Sequence, residues 1–191
     1  MANKGSSFER EICKKLSLWW TNTQNDDIFW RTSGSGARAT TRAKKGLGTF
    51  GQAGDIQAVN PIGQPFINIF TTELKRGYPT ATLSNIFDAS PNVKHQEITK
   101  FITQAEASRK QANSLSWLII HKRDRRRTTV ILPLVIASLF IDNVNLINGL
   151  IWNSPPGVPD ILQISFVNFL CRISPQAIIK KNIELGFNNN A

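Results

Sequence analysis

Histidine, cysteine and acidic residues are all scarce in this chain of 191 residues. The two histidines, His95 and His121, lie far apart, which argues against hydrolytic sites that depend on several imidazoles. Ser-centred hydrolase chemistry lacks a suitable base for the same reason. Two cysteines, Cys13 and Cys171, make no disulfide framework and cannot complete a four-ligand zinc finger. No GxxxxGK(S/T) is present, so coupling to ATP is not indicated. The run Gly46 to Gly51 matches GxGxxG, but a basic loop stands where a strand is needed and Gly54-Asp55 where a helix is needed. No long apolar run is free of polar breaks. The most apolar stretch, Ile131 to Ile151, carries Asp142 and several asparagines and reads as core rather than a membrane span. The first twenty residues are charged throughout and show no secretory pattern, so a soluble cytoplasmic protein is expected.

Lysine and arginine are plentiful. They number 23 against 13 acids, a net charge of +10, which favours a polyanionic partner, with nucleic acid first. Hydrophobic residues make up 41% of the chain, enough for a sizeable core. The length suits one domain, divided here into a core over 1–132 and an extension over 133–191 packed on it.

Helical spacing of Phe8, Ile12, Leu16 and Trp19 predicts a helix over 6–20, with Ser6 as N-cap and Glu9 as its capping-box partner. Ile28-Phe29-Trp30 predicts a short strand. Residues 32–54 are rich in Gly, Ser, Thr, Ala, Arg and Lys and predict a long functional loop. Asp55 to Val59 and Phe66 to Lys75 predict a hairpin turning at 60–65. A helix over 93–112 with a stripe of Ile98, Phe101, Ile102 and Ala105 follows, then strands at 115–120 and 128–132 joined by the basic turn His121 to Arg127. Leu134 to Phe140 and Pro175 to Leu185 read as further helices. Trp19, Trp20, Trp30, Trp117 and Trp152 all lie in apolar segments and read as core. The order of elements is that of an α/β sandwich.

Glu73 and Lys75 stand two apart at the end of a strand and therefore share one face. A carboxylate beside an ammonium, joined by another acid, can hold a divalent cation and stabilise charge at a reacting phosphate. Taken alone, the pair also reads as an exposed Glu–Lys couple on an edge strand. In the expected hairpin Asp55 falls near Phe70, about three positions or roughly 10 Å from Glu73, unless twist or a bulge narrows the gap. Glu9 reads either as the cap partner of Ser6 or as a third acid at the rim of the buried face.

Five pieces occur in order: Lys4-Gly5, Phe8-Glu9-Arg10-Glu11, Arg31-Thr32-Ser33-Gly34-Ser35, Gly54-Asp55-Ile56-Gln57-Ala58 and Glu73-Leu74-Lys75. This set resembles the PD-(D/E)xK nuclease superfamily, and within it the archaeal-type Holliday junction resolvases. The resemblance implies a restriction-endonuclease-like core, a central mixed β-sheet flanked by helices, carrying a C-terminal extension. It implies a magnesium site, with manganese as a substitute, made by Glu9, Asp55 and Glu73, and Lys75 as the catalytic lysine that orients water or stabilises the transition state. Arg10 and Ser35 would lie near the phosphate, and Gln104 on the following helix would assist. The segment from Gly36 to Gly54 is longer than the resolvase turn, and Thr72 replaces the usual aliphatic residue.

Arg31, Arg38, Arg42, Lys44 and Lys45 form a cationic segment suited to tracking a DNA backbone. The expectation is a magnesium-dependent DNA endonuclease that cleaves junctions or other branched structures in recombination. A sequence-specific enzyme of restriction or homing type, or a non-catalytic DNA-binding protein on the same fold, are its rivals. Paired cuts on two strands call for two sites, hence a homodimer with 134–170 as its interface and no membrane partner.

Overall fold

The computed structural model describes residues 4–32, 53–84, 97–143, 148–152 and 159–187. Helix α1, Lys4–Trp20, buries Phe8, Ile12, Cys13, Leu16 and Trp20 along one stripe and keeps Glu11 and Lys15 outside, where they pair at 2.6 Å. It begins at Lys4, so Ser6 lies inside the helix and the expected capping box does not form. Near its far end the buried Ser17 hydroxyl donates to Cys13 O and accepts from Ile28 N and Phe29 N. That one side chain fastens strand β1, Phe29–Arg31, to the helix. β1 pairs antiparallel with β2, Ile56–Ala58, placing Arg31 opposite Ile56.

The expected hairpin of 55–59 with 66–75 is corrected here. After β2, Asn60 accepts from Ile62 N and starts a 3-10 turn over Pro61–Gly63, and α2, Gln64–Ile69, follows at once. Both segments have proline at a first-turn position, where its missing N–H is harmless and its fixed φ already suits a helix. Phe66 and Ile69, three apart, are buried on one face of α2. The strand begins only at Phe70.

β3, Phe70–Arg76, runs parallel to β4, Ser116–Lys122, with α3, Glu97–Ala112, between them in sequence. β5, Thr129–Pro133, is antiparallel to β4. After the short α4, Leu134–Ala137, come β6, Gly149–Trp152, and β7, Ile161–Ser165. The sheet order is β3-β4-β5-β7-β6, so β3 is an edge strand. Two helices close the chain: α5, Phe166–Arg172, and α6, Pro175–Glu184, capped by the Ser165 and Ser174 side chains.

Helices cover both faces of this mixed sheet. On one face Phe70, Leu74, Leu118, Ile120, Val130 and Leu132 meet side chains of α1, α2, α5 and α6. On the other, Trp117, Ile119 and Ile131 meet Ile98, Phe101, Ile102 and Ala105 of α3. Central strands buried on both sides read as unbroken apolar runs, as Trp117 to Ile120 does. This is an α/β fold compatible with a restriction-endonuclease-like core. Trp30 departs from the core expectation and is 45% exposed. Its neighbours Phe29 and Arg31 turn the other way, because side chains alternate along β1.

Candidate active site

Alternation along β3 sends Thr71, Glu73 and Lys75 to the face covered by α3, and Phe70 and Leu74 to the larger core on the other side. Glu73 is almost fully buried there, with 2% of its surface exposed. A carboxylate so placed requires several donors. Lys75 Nζ donates to Oε2 at 3.0 Å, Gln104 Nε2 donates to the same oxygen at 2.7 Å, and Ser108 Oγ donates to Oε1 at 2.8 Å. Lys75 Nζ also donates to Gln104 Oε1 at 2.8 Å and stands 5.5 Å from the Phe101 ring centre. Lysine, glutamine and carboxylate therefore form a closed triangle, with serine on the remaining oxygen.

Asp55 reaches this cluster by a route that sequence spacing did not show. Its backbone N donates to Thr72 O at 2.8 Å, and its Oδ2 accepts from Leu74 N at 2.7 Å. The open edge of β3 thus takes residue 55 beside residues 72–74, not beside Phe70. Gly54 permits this approach. It holds φ at +77°, and a Cβ there would lie 2.8 Å from Thr72 O. Thr32 locks the segment from the other side, its N donating to Asp55 O at 3.0 Å and its Oγ1 to Gly54 O at 2.9 Å. Burial, and then the negative charge of Glu73, push the Asp55 carboxyl up to about 7, against the pull of Leu74 N–H and Lys75; Glu9 adds a smaller push.

Glu9 lies on α1, where Arg31 Nη1 donates to its Oε2 at 3.3 Å and to Ser6 Oγ at 2.8 Å. Arg10 Nη2 donates to the same Ser6 hydroxyl at 3.1 Å. The nearby Cys13 thiol is pushed up to about 12 by burial and by Glu9 and Asp55, so it is an inert core group. Among the described residues no group of three or more His, Cys, Asp or Glu is placed to hold a metal ion. Of the expected set of Glu9, Asp55 and Glu73, Asp55 feels the charge of both other acids. Glu9 is drawn to Arg31, and Glu73 to Lys75, Gln104 and Ser108. Of the two, Glu73 acts on Asp55 more strongly than Glu9 does. Ser35, Arg38, Arg42, Lys44 and Lys45 lie outside the described residues.

Two side chains at the cluster exceed the sequence reading. Gln104, expected as accessory or as plain surface, contacts both Glu73 and Lys75. Ser108 was not foreseen, yet it stands four residues after Gln104 and so on the same helix face.

Residues 1–150 match the sequence model of the family described as "Phage putative PDDEXK endonuclease". No curated protein and no solved structure gives a match. No helix among the described residues is long and apolar enough to cross a membrane.

Proposed function

The chain belongs to this PDDEXK endonuclease family and so to the PD-(D/E)xK nucleases, and we propose that it hydrolyses DNA phosphodiester bonds with a divalent cation at the cluster around Glu73. The observation that carries the reading is the buried Glu73 carboxylate held by Lys75, Gln104 and Ser108 with Asp55 seated on the next backbone amide. A buried Asp55 carboxyl whose proton affinity is raised by burial and by the charge of Glu73 belongs to a donor set that a dication relieves. Their oxygen-only chemistry suits magnesium, with manganese in its place. Asp55 and Glu73 would hold the ion, which supplies a Lewis acid for the phosphoryl oxygen and a lowered water pKa. Lys75 offers its ammonium to the attacking water or to the charge that grows on phosphorus. Gln104 fixes the lysine and the carboxylate relative to one another. Glu9, Arg10 and Arg31 form the α1 side of the site and would meet the backbone of the nucleic acid, with Glu9 as a further ligand candidate. Ser35, from the motif order, and Arg38, Arg42, Lys44 and Lys45, from the cationic segment, keep the DNA-contact roles expected of them.

Cleavage of plasmid DNA in magnesium tests this. Glu73→Gln and Lys75→Ala should each lower the rate by about 10²-fold or more, the scale of losing one group that stabilises transition-state charge. Folded variants that both cut at the wild-type rate would refute the site. The order of motifs favours a structure-specific, resolvase-like substrate. A four-way junction should then be cut faster than a random duplex, while a fixed duplex pattern would place the enzyme with sequence-reading endonucleases. DNA binding that survives with no cleavage in any divalent cation would leave a non-catalytic binder. Paired cuts would come from a homodimer, for which Val135, Leu139, Leu150, Ile151 and Val167 offer exposed apolar surface within the expected interface. Light scattering of the protein on DNA checks that state.

A further inference from the structure

The turn between β4 and β5 carries Lys122-Arg123-Asp124-Arg125-Arg126-Arg127, a run the reaction above leaves unused. It is an ordered turn. Arg126 N donates to Arg123 O at 3.2 Å, and Arg125 holds a φ of 58°, a region few non-glycine residues occupy.

The base of the turn is tied to both elements that carry the site. Lys122 Nζ lies 3.7 Å from Glu11 Oε2 and 6.0 Å from the Phe8 ring centre, and these two residues flank Glu9 and Arg10 on α1. Arg76, next to Lys75 on β3, donates to Lys122 O at 3.1 Å and pairs with Asp124 Oδ1 at 2.6 Å. Arg123 Nη1 donates to Pro79 O at 3.4 Å. The single acid of the run and its first two cations are thus engaged in bracing. Arg125, Arg126 and Arg127 are exposed and make no ion pair among the described residues. Three like charges held together on a braced turn, in a chain already at +10, suit an anionic surface from outside.

We propose that Arg125, Arg126 and Arg127 form a second, sequence-independent contact to the phosphate backbone of duplex DNA, beside the bond cleaved at Glu73. This rests on the nuclease reading above. Lys75 pairs in register with His121, and His121 with Thr129, so the arginines stand in the turn two to four residues beyond that pair, roughly 10–15 Å from the lysine. With about 3.4 Å of axis per phosphate on each strand, they meet the backbone about three or four phosphates from the reacting one. The preset turn lowers the ordering cost of that contact.

The test is binding of the full chain to a duplex of about 20 base pairs in EDTA, followed by fluorescence anisotropy across a salt titration. Replacing all three arginines by alanine should weaken binding about 10–100-fold near 0.1 M salt and make the slope of log K against log salt shallower by about 2–3. The triple lysine variant keeps the charges and should keep the slope. Thermal melting confirms that each variant folds, and a triple glutamine variant replaces alanine if that one does not. A folded variant with wild-type slope and affinity overturns the proposal. Because no cation is present, the outcome is separate from catalysis. If the slope changes while Glu73→Gln still cuts, the contact stands and the active-site assignment falls. If the wild type binds no duplex the arginine contact falls, and if it binds no four-way junction either, the nuclease reading falls with it.

Discussion

Ser108 holds one oxygen of Glu73, while Lys75 and Gln104 share the other, so the carboxylate has a single orientation. Ser108→Ala should cost about 10–100-fold in activity or metal affinity, the scale seen when a group orienting a ligand is lost. Ser108→Thr, which keeps the hydroxyl, should recover most of it, and steady-state cleavage rates against cation concentration read both. A rescue that fails equally with threonine would assign Ser108 to packing alone. Asp55 gives a pH signature. Its folded pKa of about 7 exceeds the ordinary 3.8, so between those values the native state holds more protons than the unfolded one. Stability of the metal-free protein then falls as pH rises through that window and levels above it. Asp55→Asn removes this slope, and urea midpoints in EDTA over the same range compare the two. Parallel curves would contradict the assignment. Divalent-ion affinity runs the opposite way, rising with pH as Asp55 loses its proton.

At the scale of elements, the joint between α1 and β1 depends on the Ser17 hydroxyl, which accepts from the amides of Ile28 and Phe29 in a buried setting. Ser17→Ala leaves those amides unpaired and should cost about 2 kcal/mol or more by urea unfolding. A loss under about 0.5 kcal/mol, the usual size of a surface change, would show that other groups serve those amides. The hairpin expected over 55–75 failed at Phe66–Ile69. A short apolar run fits either period. Pro61, Pro65 and the Asn60 cap favour helical turns here, although Ile67 and Ile69 alternate as a strand would. The same stretch in strand form would have put Asp55 beside Phe70. In helical form it folds away and lets residue 55 lie along the edge of β3.

For the whole molecule, we propose that the division at residue 132 does not separate independent folding units. β7 covers the open edge of β5, and α5, α6 and the link between them supply Phe166, Phe169, Ile173 and Ile178 to the main core. A chain ending at Leu132 would expose that edge and lose a third of the buried residues of that core. We expect it to lack a cooperative thermal transition, and a sharp melt near that of the full chain would show that 1–132 folds alone. The sequence by itself determined what depends on neighbours along the chain: the buried stripes of α1 and α3, the strands β4 and β5, the common face of Glu73 and Lys75, and the ordered motifs. Those follow from the 3.6 and 2.0 periods of backbone geometry, which are local. Only the tertiary structure decided which distant groups meet. Asp55 sits on Leu74 N–H because β3 is an edge with an amide to fill, and Ser108 meets Glu73 because α3 crosses that strand face. Glu9 turns to Arg31 because β1 delivers a guanidinium beside α1. Such pairings are set by which edge and which face remain open once the core has closed.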